Sequence, residues 1–427
     1  MTKSYFIMNG RVIDPAKKVD GKLNVHIYGG KIALITASRK VPHGAEVIDA
    51  KGSIVAPGFI DMHAHLRDPG YEYKEDIESG TRAAAAGGFT TVCCMPNTDP
   101  VCDSAAVTEY ILERARATGS VWVRPIGAIS RGQKGEELSD IGDLARAGAV
   151  AISDDGRPVM DASLMRHAME YAKAFGILVI SHCEDTTLSA GGVMNEGAVS
   201  TELGLGGIPA AAEESMVARD IMLAELAGSR IHIAHASTRG TVHLIRAAKE
   251  RGVAVTAEAT PHHLNLTDEA VADYDPNTKV NPPLRGEADR RELIRALSDG
   301  TIDAIATDHA PHDITDKEMG FQDAAFGMVG LETALPLSLR LVREHKLTPK
   351  RMIEALSTRP AAILRLAGKG TLASGADADI TIFDPDFAWT VDPRRFASKA
   401  RNTPFGGMRM QGKVMKTIVG GRIVYTA

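Results

Sequence analysis

Gly58-Phe59-Ile60-Asp61-Met62-His63-Ala64-His65-Leu66-Arg67-Asp68-Pro69-Gly70 passes from an apolar run into a Pro/Gly turn. A run of that length reads as a buried strand, and Asp68-Pro69-Gly70 as the turn that ends it. Residues two apart on a strand share a face, so His63 and His65 project together. Two imidazoles side by side at a strand end make half of a divalent-metal site. A pair of half-buried structural histidines would look the same in isolation. The two readings separate on whether other strand ends bring more ligands.

On either side of this stretch, strand and helix patterns alternate. Candidate strands are 59–64, 89–94, 121–127, 149–153, 177–182, 230–235, 253–258 and 301–307. Helical patterns rich in Ala, Leu, Glu and Arg follow most of them, at 74–86, 103–118, 137–147, 161–175, 211–227, 238–251 and 287–299. This alternation predicts an α/β fold, a (β/α)8 TIM-type barrel with its site at the carboxyl ends of the strands. A doubly wound open sheet would carry a Gly-rich phosphate turn after its first strand, and none is present. Ala86-Gly87-Gly88 precedes a strand, so it reads as a helix stop.

Both ends of the chain read differently. Before residue 57 there are only short strands and turns: Phe6-Ile7-Met8 runs into Asn9-Gly10, a hairpin signal, and residues 24–28 lead through Gly29-Gly30 to 31–36. Residues 378–383 alternate with period two, and 413–419 with 422–425 read as a closing hairpin around Gly420-Gly421. The expected organisation is therefore a small composite β domain from residues 1–56 and 370–427, flanking a catalytic barrel at 57–369.

The predicted strand ends share one chemistry. After His63 and His65 come Asn97 beyond strand two, Asp154-Asp155-Gly156 beyond strand four and His182 at the end of strand five. His232 and His235 end strand six, and Asp308-His309-Ala310-Pro311-His312 follows strand eight. Four histidines and two carboxylates at a barrel mouth fit one or two zinc-type ions with positions left for water. Of the paired aspartates, Asp155 is the ligand candidate and Asp154 the turn residue. His232 and His235, three apart on a strand, should face opposite ways, which leaves His235 as the ligand. Asp61 reads as a supporting group behind the ligands, and His262 and His263 are left open. The Gly-rich residues 190–209 and the long connection 313–330 read as lid or binding loops.

Composition narrows the class. The 427 residues are 44% hydrophobic and 24% charged, with a net charge of −5. That balance carries no electrostatic footprint for nucleic acid or an anionic membrane. Cys93, Cys94, Cys102 and Cys183 form no paired spacing and read as reduced, buried thiols. Without a signal-peptide pattern or a membrane-length apolar run, the sequence reads as a soluble cytoplasmic protein.

These residues resemble the amidohydrolase superfamily, and within it the dihydroorotases of the longer bacterial class. The likeness runs from Asn9-Gly10-Arg11-Val12-Ile13-Asp14 to the C-terminal hairpin. It is carried by the opening stretch, Met95-Pro96-Asn97-Thr98, Lys279-Val280-Asn281-Pro282-Pro283-Leu284-Arg285, Asp308-His309-Ala310-Pro311-His312 and Phe326-Gly327-Met328-Val329-Gly330-Leu331-Glu332-Thr333. The resemblance implies a zinc enzyme, binuclear by preference, that interconverts N-carbamoyl-L-aspartate and dihydroorotate in pyrimidine biosynthesis. His63, His65 and Asp308 would hold one zinc, and His182 and His235 the other. Asp155 would bridge them where many relatives use a carboxylated lysine. Asp308 would act as general base and acid, with Arg67, Asn97 and His312 on the substrate carboxylate and Asn281 on the ring. The resemblance also raises two partner readings, a homodimer and an association with aspartate transcarbamoylase of the kind some relatives form. The competing readings are a hydantoinase/dihydropyrimidinase or allantoinase, and a non-catalytic relative that serves as a structural subunit.

Overall fold

A computed structural model describes residues 3–427. Eight parallel strands follow one another in chain order: β1 (Phe59–Ala64), β2 (Phe89–Cys94), β3 (Trp122–Gly127), β4 (Ala151–Ile152), β5 (Leu178–Ser181), β6 (Ile231–Ile233), β7 (Val255–Ala259) and β8 (Ala304–Ile305). The ring is completed where Ala64 bridges His309 in parallel and the His65 amide donates to the His309 carbonyl. This is the (β/α)8 barrel that the strand–helix alternation predicts, and residue parity shows why it holds. Leu178 and Ile180 join Met62, Cys93, Ile126, Ala151 and Ala304 in one apolar cluster. The intervening Val179, with Val92, Ile152, Ile231, Ile233, Ala257 and Ile305, packs in the larger cluster with the surrounding helices. Alternate residues therefore fill the barrel and bind it to its outer ring.

Capping chemistry moves several element boundaries. The first barrel helix starts at Ile77 rather than at 74, because the Asp76 carboxylate accepts the Ser79 amide and the Ser79 hydroxyl accepts the Asp76 amide. That capping box fixes the start against the apolar period. Helix Ile141–Ala147 begins later than expected because Glu137 and Leu138 are used in bridges to Arg131 and Ser130. The helix Ala334–Arg343 has no counterpart among the expected elements. Pro336 masks it in the sequence, yet in the first turn a proline removes no intrahelical hydrogen bond.

Two sheets are built from the chain ends. A four-stranded sheet has the order Lys31–Thr36, Asn24–Tyr28, Ser4–Met8, Glu46–Asp49. A six-stranded sheet has the order Arg422–Thr426, Arg409–Val419, Ile380–Thr390, Ile54–Pro57, Arg11–Asp14, Val19–Lys22. The C-terminal Ile380–Phe383 thus pairs with N-terminal Ile54–Pro57, and Gly58 carries that strand directly into β1. Asn9-Gly10 is not a hairpin turn. Ser4–Met8 pairs with Asn24–Tyr28, whereas Arg11–Asp14 pairs with Val19–Lys22 in the other sheet. The dipeptide is a corner between sheets: Asn9 takes φ 65°, its amide group donates to Asp49, and a Cβ on Gly10 would lie 2.7 Å from Val55.

Candidate metal centre

The centre begins on β1. His63 and His65 lie within 5.5 Å of each other, ring centre to ring centre, at the carboxyl end of the barrel. Asp155 follows β4 and stands between two histidine pairs. His63 Nε2 is 3.3 Å from Asp155 Oδ1, and His65 Nε2 is 3.4 Å from Oδ2. On the other side, His182 Nδ1 and His235 Nε2 lie 3.6 and 3.5 Å from Oδ1. One face is therefore His63, His65 and Asp155, and the other is Asp155, His182 and His235, all buried. Asp308 closes the first face, with Oδ1 3.2 Å from His65 Nε2 and 3.5 Å from His63 Nε2. Arg67, His235 and Asp308 all hold positive φ angles, at 61°, 29° and 48°. Non-glycine residues take that conformation when surrounding structure imposes it, and such residues gather at sites.

Hydrogen bonds behind the imidazoles decide which nitrogen faces inward. His63 donates from Nδ1 to Glu258 Oε1 at 2.8 Å, which leaves Nε2 as its lone pair. His65 donates from Nδ1 to Asn97 Oδ1 at 2.9 Å, with the same result. His182 is reversed: Nε2 donates to Glu184 at 3.1 Å, so Nδ1 faces Asp155. Each acceptor sets a tautomer and aims a lone pair.

The residues fit a divalent ion on three grounds. His63 Nε2 and Asp155 Oδ1 are buried without a hydrogen-bond partner among the described residues. The separations of 3.2–3.6 Å between the carboxylate oxygens and the imidazole nitrogens facing them match the edge of a tetrahedron with bonds of roughly 2.0–2.2 Å, while His182 Nδ1 and His235 Nε2 stand closer, 2.9 Å apart. The third ground is electrostatic. Burial pushes the His63 imidazole down, but the charges of Asp155 and Asp308 outweigh it and lift the ring well above its usual range. His182 is likewise raised to about 10: burial lowers it, but the Asp155 and Glu184 carboxylates beside it prevail. Burial raises Asp155, and the His63 charge with three imidazole contacts pulls it well below the ordinary carboxylate range. A field that draws protons onto imidazoles draws any cation to the same point. Nitrogen and carboxylate donors suit zinc and its neighbours.

The other expected residues fall around this centre. Arg67 gives only its Nε–H, to the Pro311 carbonyl at 3.2 Å, so both Nη groups lack a partner among the described residues. With Asn97, Tyr71, Lys74, Asp155 and Arg157 it lines a mouth of about 270 Å³. Asn281 is reached through Glu184, whose Oε2 accepts its Nδ2–H at 2.8 Å. The His312 side chain is tied to a backbone carbonyl. Its Nε2–H goes to the Phe326 carbonyl at 2.8 Å, and the buried Nδ1 has no hydrogen-bond partner among the described residues, the Asp316 carboxylate standing 3.5 Å away. Burial first, then the charges of Arg67, Lys317 and Lys74, depress the ring to about 3. A neutral ring in that tautomer leaves its lone pair on Nδ1.

His232 also corrects the sequence reading. β6 stops at Ile233, so alternation does not extend to His235, and the two histidines sit at different depths instead of on opposite faces. His232 donates to Glu258 Oε2 at 3.1 Å, deep in the barrel. Asp154 accepts the Ile129 and Ser130 amides, which leaves Asp155 for the centre. Asp61 accepts the Thr307 and His63 amides, a supporting position as expected; burial lifts it to about 7 against those bonds. His263 is tied to Thr260 and Pro282, while the buried His262 Nε2 has no partner among the described residues. Sequence reasoning missed Glu258, Glu184 and Glu75. Glu258 could have been found as the single charged residue of β7, and Glu184 by its place two residues after His182. Glu75, which accepts from Ser79 and Ser398, had no local signal.

Comparisons with known proteins give the family. A family model described as Dihydro-orotase-like matches residues 52–241, and one described as Amidohydrolase family matches residues 207–425. A curated relative from Syntrophus aciditrophicus named dihydroorotase is 56% identical over 98% of this chain and 98% of its own. Another of that name, from Pelotomaculum thermopropionicum, is 59% identical over 98% of this chain and 97% of its own. Among solved structures, the L-hydantoinase (dihydropyrimidinase) of Arthrobacter aurescens superposes with a TM-score of 0.90 at 28% identity, covering 100% of this chain and 96% of that one. A dihydropyrimidinase from Brevibacillus agri gives 0.86 at 26% identity, over 99% and 95%. By family model and by near-full-length identity, the chain belongs to the dihydroorotases of the amidohydrolase family.

Proposed function

We propose that the chain is a zinc-dependent dihydroorotase that interconverts N-carbamoyl-L-aspartate and (S)-dihydroorotate in pyrimidine biosynthesis. The observation that carries this reading is Asp155 between two histidine pairs, with the Arg67 guanidinium, whose Nη groups have no partner among the described residues, at the mouth beside it. His63, His65 and Asp308 would hold one ion, His182 and His235 a second, and Asp155 both. Zinc at such a site lowers the pKa of water from about 15.7 to about 7 and polarises a carbonyl, help on the order of 12 kcal/mol in forming the nucleophile.

The chain's own residues do the rest. Arg67 pairs through both Nη groups with the substrate carboxylate and sets which face of the ring meets the centre. Asn97 holds His65 in its ligating tautomer while lining the same mouth. Asp308 is anionic at neutral pH: burial raises it, but the charge of His63 and the contacts of His65 pull it well below the carboxylate range. It can therefore take the proton of the attacking water and return it to the departing ring nitrogen. In reverse, ring closure turns a dianion and a proton into a monoanion and water, so acid favours the ring.

The likeness to hydantoinases supports a second reading, hydrolysis of a neutral cyclic amide. Turnover of dihydroorotate, hydantoin and allantoin, with metal content measured on the same sample, separates the two. Dihydroorotate should lead by orders of magnitude on protein carrying about one to two zinc per chain. Preference for hydantoin, or full activity without metal, would overturn the proposal.

A further inference from the structure

Glu184 does two things with one oxygen. Its Oε2 accepts the Nε2–H of His182 at 3.1 Å and the Nδ2–H of Asn281 at 2.8 Å. One of the two donors, Asn281, lies 97 residues from Glu184 in the chain. The Glu184 side chain is only 15% exposed, so water competes little for that oxygen. A carboxylate can only accept, which removes the ambiguity of both partners. His182 must carry its proton on Nε2 and ligate through Nδ1. Asn281 must turn its NH2 toward Glu184, and its Oδ1 is left without a partner among the described residues.

From this geometry we infer that Glu184 is a positioning residue that sets the ligating nitrogen of His182 and turns the Asn281 carbonyl oxygen toward the substrate, so that Asn281 reads a ring N–H. The inference rests on the dihydroorotase reading for the identity of that N–H. It does not rest on it for the metal. An acceptor behind a ligating histidine fixes ring orientation and raises ligand basicity, and its loss typically costs about 10- to 100-fold in metal affinity. Misturning one amide at a substrate N–H costs one neutral hydrogen bond, about two- to tenfold in KM.

The test uses the full-length chain and three variants, Glu184→Gln, Glu184→Ala and Asn281→Ala, with the double variant Glu184→Ala/Asn281→Ala. Zinc affinity is read by competition with a chromogenic chelator, apart from any turnover. Glu184→Ala should weaken one zinc step by about 10- to 100-fold. Glu184→Gln keeps a carbonyl acceptor without the charge and should fall between it and the parent, which guards against loss of folding as the cause. Asn281→Ala should leave zinc affinity alone and raise KM for dihydroorotate. In the Asn281→Ala background, Glu184→Ala should add nothing further to KM, because both changes remove the same contact. Unchanged zinc affinity in Glu184→Ala overturns the first half of the inference, and multiplicative KM effects overturn the second. Should the parent chain bind zinc but leave dihydroorotate untouched, the functional reading fails while the chelator arm still decides the role of Glu184.

Discussion

Replacing Arg67 with Met tests the substrate reading most directly. Arg67 follows β1 in a left-handed backbone conformation, and its side-chain bond, from Nε to the Pro311 carbonyl, orients the guanidinium and leaves two Nη groups for a ligand. Methionine keeps most of the stem and removes the charge and all donors. A bidentate pair with a carboxylate supplies two charge-assisted hydrogen bonds, each about 1.5–3 kcal/mol. Losing both costs about 3–6 kcal/mol, or roughly 10²- to 10⁴-fold in kcat/KM. The assay is the steady-state hydrolysis of dihydroorotate, with zinc measured on the same protein. Dihydrouracil, which has the ring without the carboxylate, serves as the comparison. The variant should retain zinc, because Arg67 donates to no ligand, and its loss should be far smaller on dihydrouracil. A kcat/KM for dihydroorotate within about tenfold of the parent at full zinc content would refute the carboxylate clamp.

Asp308→Ala should give folded protein that still carries zinc on His182, His235 and Asp155, with turnover reduced by at least the 10²- to 10⁴-fold typical of a lost general acid–base; near-normal turnover dismisses Asp308 from that role. Gly58→Ala should destabilise by about 1–3 kcal/mol, because the added Cβ would stand 2.2 Å from Thr90 Oγ1. A urea midpoint equal to the parent's would show that the junction between sheet and barrel can open. Lys317 donates to the Pro276, Lys279 and Ala325 carbonyls, and burial, with Lys279 nearby, lowers its pKa from 10.5 to about 7. Between those values the unfolded chain binds more protons, so stability should rise with pH across that window. Urea unfolding across it should show the rise in the parent and its loss in Lys317→Met; a flat parent profile contradicts a buried, neutralisable amine.

Residues 58–70 illustrate how much was legible. The run, its turn and the period-two histidines are local features, so strand, loop and ligand pair could be read without neighbours. The alternation of apolar strands with amphipathic helices is local in the same sense, and parity then sends one set of side chains inward and the other against helices. Asn9-Gly10 shows the limit of such reading. The same dipeptide serves a hairpin or a corner between sheets, and only the pairing partners, Asn24–Tyr28 and Val19–Lys22, decide between them.

The site divides along the same line. Candidate ligand types and their places at strand ends are properties of single segments, so His63, His65, Asp155, His182, His235 and Asp308 could each be named as candidates from the sequence. Which nitrogen each imidazole turns inward, and which way the His312 ring and the Asn281 amide face, depend on acceptors that mostly come from other segments: Glu258 behind His63, Asn97 behind His65, Glu184 behind His182 and Asn281, the Phe326 carbonyl behind His312. Periodicity carries no record of those meetings. A hydrogen bond is decided by where two atoms arrive in space, and only closure of the barrel brings them together.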